Sequence, residues 1–167
     1  MEPRDHPLAA LGAEGAAQEL LARHWDGHLP IDPVQIATSA GVAVYGRGGS
    51  NDTTYPYSGY YRIYQGMPSI EFNVLEAPVR QRFTVAHELG HYALGHDDAP
   101  RDSGNFPASG DPRERQANRF AAELLMPAAL LTQHLQDGMA ANVQTLAQRF
   151  GVSQDAMGYR LINLGLV

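Results

Sequence analysis

The chain has 167 residues, 44% of them hydrophobic, with no cysteine and a formal charge of -6 at neutral pH. That length and apolar fraction support one main core and exclude an extended disordered chain. The missing cysteines exclude disulfides, thiolate catalysis and Cys-held zinc, and the acidic balance gives no general pull toward nucleic-acid phosphates.

Met1 to Pro30 contains Glu2, Asp5 and Glu14 and no unbroken apolar run. The sequence therefore predicts neither a signal peptide nor a membrane span, and a cytoplasmic protein. Ala13 to Trp25 places Ala17, Leu20, Leu21 and Trp25 at helical spacing, and Asp32-Pro33 before Val34, Ile36 and Ala37 is a cap-then-proline helix start. After Gly41, Val42 to Tyr45 reads as a strand. Gly46 to Ser58 reads as a Gly/Asn/Asp/Pro loop, and Gly59 to Tyr64 and Ser69 to Val74 as two further strands, which together predict a small antiparallel sheet. Val79 to Leu94 reads as a helix with Gly95 as its C-cap, followed by a loop from Gly95 to Asp111 punctuated by Pro100, Gly104, Pro107 and Gly110. Helix resumes at Asp111-Pro112 to about Met126, and Pro127 starts a shorter helix through Leu135.

The informative segment is His87-Glu88-Leu89-Gly90-His91. Two imidazoles four residues apart stand one turn above each other on a helix and can grip a single Zn²⁺ with a glutamate between them. At 3.6 residues per turn, Phe83, His87, Gly90, His91 and Leu94 share one face, so both rings point inward. Two hydrogen-bonded core histidines are the plain alternative. Downstream, Glu114 lies at the edge of an apolar stripe formed by Ala117, Phe120, Ala121, Leu124 and Leu125. A buried, unpaired carboxylate there costs several kcal/mol, whereas ligating zinc satisfies it, so His87, His91 and Glu114 form a coherent His₂Glu set. Glu123 projects to the opposite side of that helix and is the weaker candidate.

Three protein ligands leave a fourth position for water, the mark of a catalytic rather than a closed structural zinc. Glu88, rotated about 100° from His87 on the helix, is positioned to serve as general base. Gly90 inside the helix costs about 1 kcal/mol relative to alanine, so it reads either as a close approach by another element or as a tolerated glycine. His96 does not meet the metzincin spacing, since the required places hold Leu94 and Asp97, and is not expected to ligate. Tyr60, Tyr61 and Tyr92 are the tyrosines that could donate to an oxyanion, with packing as their plain alternative. The strand Ser69 to Asn73 is expected to border the cleft, where an extended peptide could add to its edge.

Arg80 to His91, together with Glu114 and the run Ala117-Asn118-Arg119-Phe120-Ala121-Ala122-Glu123-Leu124-Leu125-Met126-Pro127, resembles the ImmA/IrrE family of metallopeptidases. The resemblance is good over roughly Ile31 to Pro127, with a family-like tail beyond. It implies an α+β, zincin-like (gluzincin-like) minimal peptidase, with His87, His91 and Glu114 on zinc and Glu88 as the base. It also implies a usual substrate, a helix-turn-helix repressor whose cleavage derepresses phage, mobile-element or stress-response genes. The longer radiation-response members carry an additional C-terminal sensor domain, and this chain stops at Val167.

Val143 to Leu161 has the helix, glycine turn, serine cap and second helix of a helix-turn-helix. From Ala140 to Val167 the charged side chains are Arg149, Asp155 and Arg160, a net of about +1, far from the basic stripe of a phosphate-binding surface. The expected organisation is a peptidase domain over 1–136 and a helix-turn-helix-like segment over 137–167, packed on it or appended, that docks a protein substrate rather than DNA. Two competitors stand beside a site-specific zinc endopeptidase. One is a non-catalytic regulator binding repressor or DNA through the C-terminal half, and the other is a zinc hydrolase of a non-peptide amide.

Overall fold

A computed structural model describes residues 8–52, 54–96, 99–102, 110–138 and 142–167. Among them are seven α-helices and four strands, a mixed α+β architecture. A short 3₁₀ turn, Ala9–Leu11, leads into α1 (Gly12–His24), followed by α2 (Pro33–Ser39). Asp32 caps α2 by accepting from the Val34 amide at 2.9 Å, and Pro33 fills the first helical position, where no amide is needed. No described helix is long and apolar enough to cross a membrane.

The sheet contains β1 (Ala43–Arg47), β2 (Tyr57–Tyr64), β3 (Met67–Asn73) and β4 (Ala99–Asp102) in the order β1-β3-β2-β4. It is not the antiparallel sheet predicted from the strand pattern. β2 pairs antiparallel with β3 and β4, but β1 runs parallel to β3, with Val44 opposite Ile70. The loop and β2 that separate β1 from β3 carry the chain back across the sheet, so β1 enters beside β3 in the same direction. β3 consequently lies between two partners and has no free edge, which overturns the expectation that its edge could accept a peptide. The predicted loop after Gly95 also contains β4, an edge strand that pairs with β2 and so satisfies that strand's outer backbone groups. Pro100 is tolerated there because an edge strand has backbone positions that face away from the ladder. The remainder of that loop, 103–109, and Asp97 lie outside the described residues, as do Glu2, Asp5 and the 139–141 stretch just after the expected domain boundary.

The helix α3 (Pro78–Ala93) lies against the sheet on one side and α4 (Pro112–Leu125) on the other. Its second half is buried all round, from Thr84 to His91 and again at Ala93. Ala86, Leu89 and Ala93 of this helix share one buried core with Ile70 and Tyr61 of the sheet and with Phe120, Ala121 and Leu124 of α4. Each fully buried Phe or Leu there contributes about 1.5 to 3 kcal/mol relative to exposure. Helices α5 (Ala128–Gln136), α6 (Val143–Phe150) and α7 (Gln154–Asn163) complete the chain. Asn142 caps α6, Gly151 turns in the left-handed region at φ 67°, and Ser153 caps α7.

Two arginines fasten these last helices to the rest. Arg82 of α3 donates to the Gly151 carbonyl at 2.9 Å, and Arg160 of α7 donates to the Met126 carbonyl at 3.1 Å and pairs with buried Glu123.

Candidate metal centre

The helix α3 delivers His87 and His91 from successive turns, each 1% exposed. Their rings meet edge to face with centroids 4.8 Å apart and Nε2 atoms 3.1 Å apart. Glu114 enters from the first turn of α4, with Oε2 3.1 Å from His87 Nε2 and Oε1 3.0 Å from His91 Nε2. Tetrahedral ligation at about 2.0 Å sets neighbouring donor atoms about 3.3 Å apart, and these three groups already stand near that spacing. His87, His91 and Glu114 are a group of potential metal ligands whose donor atoms lie within 4.8 Å of one another.

The far side of the His87 ring shows which atom faces the centre. His87 Nδ1 lies 2.8 Å from Asn118 Oδ1, one turn after Glu114 on the same helix. An amide oxygen only accepts, so Nδ1 carries the hydrogen and the neutral ring presents its Nε2 lone pair inward. Lone pairs and a carboxylate aimed at one point repel unless a cation lies among them. The donor set, nitrogen and oxygen without sulfur, fits a divalent metal ion.

Two glycines bring the flanking elements in. A Cβ on Gly90 would fall 3.0 Å from Phe120 Cδ1 and 3.2 Å from Ala117 Cα, so this glycine is the close-approach point that lets α4 carry Glu114 to the histidines. A Cβ on Gly59 of β2 would fall 2.4 Å from Thr84 Cγ2 and 3.2 Å from Glu88 Cγ. The missing side chain at 59 lets β2 lie directly on the helix beside Glu88, which is fully buried. Sequence reasoning found Gly90 through its helical position but missed Gly59, since glycine in a Tyr-rich strand gives no direction.

The remaining candidates separate clearly. Glu123 is buried at the other end of α4, where it accepts from Gln18 Nε2 at 3.2 Å and pairs with Arg160, away from the histidines. His96 contributes no atom to the ligand group but stands behind it, with Nδ1 2.8 Å from His91 Nδ1 and Nε2 3.0 Å from Gln116 Oε1. Burial, then the neighbouring His91, lowers its pKa from the ordinary histidine value. Tyr61 packs edge-on to Tyr92 with centroids 6.1 Å apart. Tyr60 projects to the opposite sheet face from Tyr61, beneath the Arg62 guanidinium at 5.6 Å.

The family model described as the IrrE N-terminal-like domain, a peptidase family, matches residues 41–162. The chain belongs to this family. The matched stretch of the IrrE-like chain takes in the sheet, α3, α4 and both C-terminal helices. No curated protein matches the chain. Among solved structures, its fold is similar to that of a Mycobacterium tuberculosis transcriptional regulator, at TM-score 0.55 and 17% identity over 93% of this chain and 47% of that one. The chain thus spans about half the length of that structure.

Proposed function

We propose that this IrrE-like chain is a zinc-dependent endopeptidase of the gluzincin kind whose substrate is a regulatory protein. The observation that carries the reading is the convergence of His87 Nε2, His91 Nε2 and the Glu114 carboxylate, with buried Glu88 on the same helix turn. Zinc held by these three residues would supply Lewis acidity toward a carbonyl and toward water. Glu88 accepts the proton of the attacking water at its carboxylate and returns it to the leaving amine. Gly59 keeps β2 pressed on Glu88, which restricts the carboxylate's freedom and excludes bulk water from its flank.

The substrate we propose is a helix-turn-helix repressor, cleaved in the cytoplasm to release stress, phage or mobile-element genes. Family membership supports this, as does the fold shared with a transcriptional regulator. We read 137–167 as a helix-turn-helix-like segment packed on a peptidase domain spanning 1–136 and used for docking protein. Tyr159 and Ile162 on α7 are 70% and 63% exposed, an apolar rather than basic surface. The same surface is what a non-catalytic regulator would use, and one variant separates the two. Glu88→Gln retains about one zinc per chain and loses cleavage of a repressor substrate by 10² to 10⁴-fold. Undiminished cleavage by that variant would remove Glu88 as base, and undiminished regulation in cells without cleavage would favour the non-catalytic regulator.

A further inference from the structure

His91 differs from His87 in how its outer nitrogen is held. His87 reaches an amide oxygen directly, whereas His91 faces a second imidazole, His96, which in turn faces Gln116 on α4. The helix ending creates this arrangement. Gly95 adopts φ 72°, its amide donates to the Tyr92 carbonyl at 3.1 Å, and the His96 amide donates to the His91 carbonyl at 2.9 Å. This double closure of a helix C-terminus folds the sixth residue back over the first, which stacks the His96 ring beside His91.

Proton positions follow from the acceptor at the end of the chain of contacts. Gln116 Oε1 only accepts, so His96 Nε2 donates to it. A neutral His96 then offers its Nδ1 as an acceptor, and His91 Nδ1, 2.8 Å away, must be the donor. His91 is left with a bare Nε2 aimed at Glu114 and His87. The reverse order, with the Gln116 amide nitrogen facing His96, inverts each step and puts a hydrogen on His91 Nε2, in the metal's place.

We propose that Gln116 and His96 form a relay that fixes the His91 tautomer, making both of them positioning residues for the metal centre. The proposal rests on the metallopeptidase reading above. It assigns α4 three roles at positions 114, 116 and 118, namely one ligand and the two acceptors that orient the histidines. Gln116 is exposed, so its replacement leaves the core intact.

The test measures Zn²⁺ affinity of the full chain by competition with a chromogenic chelator. Gln116→Leu should bind Zn²⁺ 10 to 100-fold more weakly with an unchanged melting temperature of the metal-free protein, the range seen when an outer partner of a ligating histidine is removed. Gln116→Glu, which keeps an acceptor, should restore wild-type affinity. In a His96→Phe background, Gln116→Leu should have no further effect, because the relay is already cut. In the zinc-loaded chain, the His91 Nδ1–H resonance should move in Gln116→Leu while that of His87 stays. Wild-type affinity in Gln116→Leu, or an equal loss in the His96→Phe background, overturns the relay while leaving the metallopeptidase reading intact. A wild-type chain that takes up no Zn²⁺ overturns the metal reading, and the relay with it.

Discussion

The helix α4 carries a carboxylate near each end, and its surroundings treat the two in opposite ways. Glu123, 4% exposed in its side chain, meets the Arg160 guanidinium and the Gln18 amide, so the chain itself supplies the balancing cation. Glu114, 31% exposed in its side chain, meets two imidazoles whose Nε2 atoms face one another. The first arrangement is closed and holds α1, α4 and α7 together. The second leaves room for a cation from solution, and that difference separates a structural charge from a binding one. A sequence shows only two glutamates on one helix; their partners, nearly forty residues away in one case, give them different work.

Removing each carboxylate tests the contrast most strongly. Glu123→Ala should lower unfolding free energy by about 3 to 5 kcal/mol, because it strands the buried Arg160 guanidinium, while the folded protein still takes up zinc. Glu114→Ala should abolish zinc uptake yet move urea unfolding of the metal-free chain by less than about 1 kcal/mol, as befits a partly exposed contact. Equal destabilisation by the two variants would break the comparison. A smaller effect is expected where the helices touch. Gly90→Ala should cost about 1 to 3 kcal/mol by forcing Phe120 and the Ala117 backbone outward, and should weaken zinc binding because Glu114 moves with α4. Stabilisation of that variant, the outcome helix propensity alone dictates, would mean that α3 and α4 do not need this contact.

The smallest effect concerns the cap that starts α4. Asp111 accepts from the Arg113 amide at 2.9 Å, and this bond, followed by that of the Arg113 side chain, lowers its pKa below the ordinary aspartate value. A depressed carboxyl stabilises the fold fully above its unfolded pKa and loses that contribution as pH falls through the folded value. The stability difference between wild type and Asp111→Asn should therefore shrink as pH is lowered below about 4. A difference that stays constant over that range would remove the ionised cap from the account of how Glu114 is presented.

The metal helix was legible because its information is local. His87, Glu88 and His91 are related by helical geometry alone, and Pro78–Ala93 differs from the predicted span by one residue at each end. Glu114 was reachable because a polar residue on an apolar stripe demands an explanation, and Gly90 because a helical glycine does. What was missed depends on contacts between elements. The parallel pairing of β1 with β3, the strand Ala99–Asp102, and the partnership of Gln116 with His96 all require knowing which segments meet. Nothing in Gln116 itself distinguishes it from any exposed glutamine on an amphipathic helix.

Gly151 carries a consequence for how the molecule responds to being handled. Its φ of 67° suits glycine, and a Cβ there would come within 2.8 Å of the Arg82 guanidinium, so two independent constraints coincide on one atom's absence. Arg82 sits five residues ahead of His87 on a rigid rod. The bend between the final two helices is thereby anchored, through the Arg82 guanidinium, to the same helix that bears the candidate metal ligands.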